Sequence, residues 1–427
     1  MNKKLLFVTG IVFVFVIVAL VWYFFFATPK DGSLLVEKQY PVTSTSLPPR
    51  FLFIGDESDT TDSKPSSFTS VTQKKEDPLL RIWDKPTTGN TFIENTILKE
   101  ITATTTAGTG TVLTRSQIRA TTTILLFVDR ETGFVYGYDT QNVSLFQITN
   151  TSVPGVHDAY IYNNGKSILF RYADRENESI VSLVATLPNI SPSMSPTSLT
   201  NEEYLNLNVS SVTVSDDGAA LFYALTTEDS SNIYELRNGK STFVASSPFR
   251  EWILGANAGR LYATPKASSY AFGVVTTVPN FIPISKNLAG LQITPGAGGY
   301  ISSFWNKGEI ETRFERAGDS FAFPFRVIAT KCGFLDRTVG VCGVPINFSY
   351  DMNLPDDWLK GFTSFKDELW IFDVTKREGS LYYSFDESLG DFDIINIKGN
   401  TLFISFINKK DGNLWLIQRV VVENRAI

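Results

Sequence analysis

The sequence predicts an all-β fold, a seven-bladed β-propeller preceded by one N-terminal transmembrane helix. Three features predict it. Turns in which Asn or Asp stands before Gly recur along the chain, alternating or β-branched apolar runs flank them, and an isolated upstream run fits a gap at the C-terminal end. Six or eight blades also fit the spacing, and an open β-solenoid or a pair of sandwiches is the competing architecture. The expected organisation is a signal anchor or transmembrane helix over residues 1–28, a flexible linker over 29–77 and the propeller domain over 78–427.

The anchor comes first in the chain. Leu5 to Phe26 are 22 residues without a charge, preceded by Lys3 and Lys4. As a helix rising about 1.5 Å per residue they would reach about 33 Å, enough for a hydrocarbon core of about 30 Å. A cleaved signal peptide has a shorter apolar region and a small-x-small exit. This run instead leaves through Phe24, Phe25, Phe26, Ala27 and Thr28, so retention is expected. Lys3, Lys4 and the amino terminus place the N-terminal side in the cytoplasm, because positive charge concentrates there. The bulk of the chain is therefore expected outside it, as a single-pass membrane protein.

Residues 29–77 are rich in Ser, Thr, Pro and mixed charge. They bury too little to offset the entropy of ordering and are read as a tether. Over the whole chain, 43% apolar and 13% aromatic residues suffice for a sizeable core. A net charge of −6 argues against nucleic acid, whose phosphates require a basic face.

The blades follow in order. Ile124 to Tyr138 reads as two strands about a turn at Gly133, with Val143 to Ile148 as a third. Ala159 to Phe170 and Val212 to Tyr223 read as hairpins turning at Gly165 and Gly218. Further turns are placed at Gly259, Gly299, Gly340 and Gly399, giving steps of 53, 41, 40, 41 and 59 residues, close to the length of a four-stranded blade where no insertion intervenes. The Thr-rich stretch 102–123 and the Ser/Pro-rich 188–200 read as loop insertions. Ile394 to Ile397, Thr401 to Ile407 and Leu414 to Val422 leave the last blade one strand short. Leu79 to Trp83 is expected to complete it, closing the ring and removing its exposed edges.

The turns resemble degenerate Ser-Pro-Asp-Gly repeats of TolB-type, WD-repeat-like β-propellers, closest at Ser215-Asp216-Asp217-Gly218. Ile148 to Gly155, Ser247 to Trp252, Lys331-Cys332, Cys342 to Pro345, Leu354 to Trp358 and Thr363 to Trp370, in that order, are similar to a group of uncharacterised single-span bacterial envelope proteins. The resemblance covers about residues 124–427. It implies a propeller behind a membrane anchor and carries over no activity.

Chemistry is sparse. The single histidine, His157, removes any zinc site built on several imidazoles, and its alternatives are a general base or a strand-end residue. No Gly-x-Ser-x-Gly, Ser-x-x-Lys or phosphate-binding glycine loop occurs, so no catalytic residue and no cofactor is assigned. Cys332 and Cys342 flank a turn expected at Asp336 to Gly340. Outside the cytoplasm that spacing favours a disulfide, two buried thiols being the alternative.

Residues 351–393 hold eleven Asp or Glu against four Lys or Arg. Asp386, Asp391 and Asp393 are weak calcium candidates, against a merely solvated acidic face. Asp356, Asp357 and Trp358 are the binding candidates, since an aromatic beside carboxylates suits a sugar or a basic partner; the alternative is a loop anchor packed on the domain. Two functions follow. The first is a membrane-anchored binding or scaffold module with a protein or glycan partner of the cell envelope. The second is a carboxylate-dependent extracellular hydrolase of glycan or peptide, which would need two carboxyl groups about 5–10 Å apart in a cleft.

Overall fold

Short β-branched and aromatic runs separated by residues that tolerate positive φ pair with their nearest neighbours in sequence. The computed structural model describes residues 78–419 apart from 108–109, 175–178, 206–207, 307–308 and 349–351. Its strands form seven separate antiparallel sheets. Blade 1 runs from Thr87–Ala107 to Ser144–Gln147, blade 2 from Val156–Tyr162 to Thr200–Tyr204, and blade 3 from Val209–Val214 to Lys240–Ser247. Blade 4 runs from Trp252–Asn257 to Ile282–Pro283, and blade 5 from Leu288–Gly296 to Asp319–Ala322 with Phe272–Gly273 added at its inner edge. Blade 6 holds Cys332–Phe334, Val339–Pro345, Asp367–Asp373 and Glu378–Tyr383; blade 7 holds Ile394–Gly399, Phe403–Asn408, Leu414–Gln418 and Leu79–Trp83.

The inner strand of each blade packs beside that of the next, from blade 1 round to blade 7 and back to blade 1. That makes the ring a seven-bladed β-propeller. Seven apolar clusters fill the seven seams. Phe170 and Ile168 meet Leu126 and Val128 between blades 2 and 1, and Phe406 and Ile404 meet Val341 and Leu369 between blades 7 and 6. An eighth cluster, around Leu354, Trp358 and Phe365, lies under the long connection 346–366 of blade 6.

Closure of the ring is as expected. Leu79, Leu80 and Arg81 pair with Ile417, Leu416 and Trp415, so the first described strand becomes the outer strand of the last blade. The Trp83 indole N–H then donates to Asp129 Oδ2 of blade 1 at 3.0 Å. The expected anchor, 1–28, and linker, 29–77, lie outside the described residues. Among the described residues no helix is long and apolar enough to cross a membrane.

The turn at Gly165 takes the left-handed backbone that Asn163, Asn164 and Gly165 supply, with φ of 53°, 53° and 81°. Three turns are displaced in the sequence reading, the one at Gly299 by a single residue, since the chain reverses at Ala297 and Gly298 and Gly299 begins the next strand. Gly340 lies inside a strand, and Gly399 ends one; the chain reverses at residues 335–338 and 400–402 instead. These two glycines serve packing, since a Cβ on Gly340 would stand 2.1 Å from the Phe372 ring and one on Gly399 2.1 Å from Leu335. The Thr-rich stretch 102–123 is a further correction. It belongs to a long two-stranded ladder, Thr87–Ala107 with Gly110–Asp129, in which Thr96 faces Thr121 and Ile101 faces Ser116. β-Branched Thr suits a strand better than the loop its low complexity suggested.

Candidate functional site

The inner strand of blade 6 begins at Cys332, and its first residue pair is Cys332 with Cys342. A disulfide joins them with Cα atoms 4.0 Å apart. Lys331 stands just ahead of this pair at the end of the 3-10 turn Ala329–Lys331, and it is wholly buried. A buried ammonium is costly unless paired. Two equally buried carboxylates meet it: Asp367 Oδ2 at 2.7 Å, from the third strand of blade 6, and Asp393 Oδ1, from the residue preceding the inner strand of blade 7.

The surroundings of the two carboxylates differ. Asp393 accepts from the Trp358 indole N–H at 3.1 and 3.0 Å and from the Ser364 hydroxyl at 3.1 Å. Asp367 Oδ2 accepts from the Ile394 amide at 2.6 Å, while its Oδ1 is buried with no hydrogen-bond partner among the described residues. Burial pushes the Asp367 carboxyl up to about 6, against the opposing pull of Lys331. The Trp358 and Phe365 rings cover the ammonium, with centroids 5.1 and 5.0 Å from Nζ. Lys409 closes the far side. Its Nζ donates to the Trp358 carbonyl and sits 4.3 Å from the indole centroid, and desolvation lowers its pKa.

This cluster seats the connection 346–366. Its short helix α1, Asp356–Leu359, buries Trp358 to 4% exposure, which matches the loop-anchor alternative for that residue. Asp356 accepts from the Ser269 amide of the blade 4 connection 266–275 and pairs with Lys360 at 3.3 Å. Burial would raise its carboxyl, but the Ser269 amide and hydroxyl, Ser268 and Lys360 outweigh that and hold it at about 2. Asp357 Oδ2 accepts from the Asn353 amide at 2.9 Å, an internal tie of the same loop. A cavity of about 10 Å³ between Pro355 and Gln292 has room for about one water.

The joined connections leave Tyr270, Phe362 and Phe272 exposed at 83%, 80% and 66%. The calcium candidates do not converge. Asp386 caps a 3-10 turn by accepting from the Ser388 amide at 2.8 Å, Asp391 pairs with Lys410 at 3.1 Å, and Asp393 is the buried partner of Lys331. Among the described residues no three His, Cys, Asp or Glu are grouped to hold a metal ion. His157 lies in the inner strand of blade 2, its Nδ1 3.1 Å from Asp158 Oδ2, which also pairs with Arg171 at 3.1 Å. Arg171 in turn donates to the Val209 carbonyl of blade 3 at 2.7 Å, so this group stitches two blades.

No family model and no curated protein matches this chain. Solved structures do. The β-propeller domain of Cps50 (Swd1) from Myceliophteria thermophila is 11% identical with a TM-score of 0.42, over 70% of this chain and 94% of that one. The β-propeller domain of the Trilobed protease from Pyrococcus furiosus, described as having an open velcro topology, is 11% identical with a TM-score of 0.39, over 60% of this chain and 79% of that one.

Proposed function

We propose that this chain is a membrane-anchored extracytoplasmic binding module, whose propeller presents the rim over blades 4 to 6 to a protein or glycan partner of the cell envelope. One observation carries the reading. Two connections from different blades are fastened together through Asp356 and Ser269, supported from below by the buried Lys331 cluster, and expose Tyr270, Phe272 and Phe362 on a fixed base. Exposed aromatics on a rigid support are what recognition surfaces use, because they contribute large contact area at small entropic cost.

Anchoring rests on the uncharged run 5–26, and the tether read from 29–77 would hold the rim near the membrane at raised local concentration. Asp367 and Asp393 do not serve the hydrolase alternative, since both are sealed beneath Trp358 and Phe365 with Lys331 between them. The test compares the full chain with Tyr270→Ala/Phe362→Ala for retention of envelope proteins and of peptidoglycan fragments. A partner kept by the first and lost by the second, at equal thermal stability, supports the reading. Identical retention by both overturns it, and a chain lacking residues 5–26 that still sediments with membranes overturns the anchoring.

A further inference from the structure

We propose that the protein forms an intramolecular isopeptide bond on itself, joining Lys331 Nζ to Asp393 Cγ, with Asp367 carrying the protons. The inference concerns the seat of the rim and stands apart from the binding function. It begins from the three side chains, all with no exposed surface, which as an ordinary ion triad would hold two negative charges against one positive. Such a triad leaves a carboxylate under-compensated in the interior, and Asp367 Oδ1 is indeed buried without a hydrogen-bond partner among the described residues.

The same contacts suit condensation. Lys331 Nζ touches Asp393 Oδ1 and lies 2.7 Å from Asp367 Oδ2, so the amine, the acceptor carboxyl and a proton carrier meet at one nitrogen. Holding reactants in contact removes the entropic cost of bringing them together. The Trp358 indole N–H and the Ser364 hydroxyl donate to Asp393 Oδ2, at 3.0 and 3.1 Å. These donors stabilise the charge that this oxygen gains when its carbon is attacked. The rings of Trp358 and Phe365 exclude water, which favours the neutral amine and neutral acid over the ions and disfavours hydrolysis of the product.

The atoms balance without any co-reactant. Asp367 takes one proton from the Lys331 ammonium and passes it to Asp393, leaving a free amine beside a neutral acid. The Nζ lone pair attacks Cγ, forming the N–C bond. Asp367 moves a second proton from nitrogen to Oδ1, the Cγ–Oδ1 bond breaks, and that oxygen departs as water. Ammonium and carboxylate have become an amide, with no net change in charge or oxidation state. Asp367 ends as it began, a carboxylate; with no ammonium beside it, its burial favours uptake of one proton from solvent, which it can donate to the new carbonyl and which leaves the three groups uncharged. The bond would clamp the start of blade 6 to the start of blade 7, across 62 residues of sequence.

Mass spectrometry of the full chain, reduced and denatured, tests the proposal. The expected mass is lower than that of the sequence by one water, and digestion is expected to give a branched peptide containing Lys331 and Asp393 in which trypsin no longer cleaves after Lys331. Lys331→Met and Asp393→Ala should each restore the missing water, and Asp367→Asn should restore it while both bonding partners remain. A folded wild-type chain of full sequence mass overturns the proposal, with no variant needed. A water lost at any other pair of peptides overturns it too, and coupling that persists unchanged in Asp367→Asn overturns the role given to Asp367.

Discussion

The indole N–H of Trp358 donates to both oxygens of the Asp393 carboxylate, at 3.1 and 3.0 Å, and so ties the connection 346–366 of blade 6 to the residue that precedes the inner strand of blade 7. A ring from one blade and a carboxylate from the next fix the rim above the seam between them. Trp358→Phe keeps the packing and removes the donor, at an expected cost of about 1–3 kcal/mol. Trp358→Ala also leaves a cavity and should cost about 3–5 kcal/mol. Urea unfolding measures both, and limited proteolysis should cut within 346–366 first. A Trp358→Ala protein as stable and as resistant as the wild type would remove the anchor role.

The Cys332–Cys342 disulfide closes a short loop across directly paired residues. In the chain-entropy model a loop of this size is worth about 3 kcal/mol. Cys332→Ala/Cys342→Ala is expected to lower the unfolding free energy by about that amount while leaving the blade 6 ladder in place. Since the two residues are 5% and 0% exposed, mild reductant should leave the native bond intact and open it only in denaturant. Thiol labelling under both conditions reads this directly.

The ring and its closure were legible because turn chemistry is local: Asn163, Asn164 and Gly165 announce a reversal through the backbone they permit. The same residue type misleads at Gly340 and Gly399, where the missing Cβ makes room for a neighbouring side chain rather than a turn. The rim seat was not legible. Lys331, Asp367 and Asp393 come from three places in the chain with no shared motif, and only the ring geometry brings them together. Trp358 and Asp393 were both singled out from sequence, yet as separate features, because their pairing is tertiary.

Leu79–Trp83 supplies the outer strand of blade 7, and Trp83 adds the bond to Asp129 across the seam to blade 1. A chain beginning at residue 78 is expected to keep the native fold, whereas one beginning at residue 85 exposes the Leu414–Gln418 edge and should self-associate. Size-exclusion chromatography separates the two outcomes. Trp83→Phe should cost about 1–3 kcal/mol, because Asp129 loses a buried donor. A monomeric chain starting at residue 85, with unchanged stability, would show that closure contributes nothing.

Two carboxylates of the rim give stability opposite dependences on pH. Asp367 is raised by burial from 3.8 to about 6, so the folded protein holds this proton more tightly than the unfolded chain. Its contribution is fully present below about pH 4 and is lost as pH rises through 6. Asp356 is held at about 2, the donors from Ser269, Ser268 and Lys360 outweighing its burial, so its contribution is present above 3.8 and lost as pH falls toward 2. Urea midpoints at constant ionic strength should therefore show a gain between pH 7 and pH 5 that Asp367→Asn abolishes, and a loss below pH 4 that Asp356→Asn reduces. Parallel profiles for wild type and Asp367→Asn across the upper window would mean that Asp367 titrates as an ordinary carboxylate, and that burial beside Lys331 does not govern its proton.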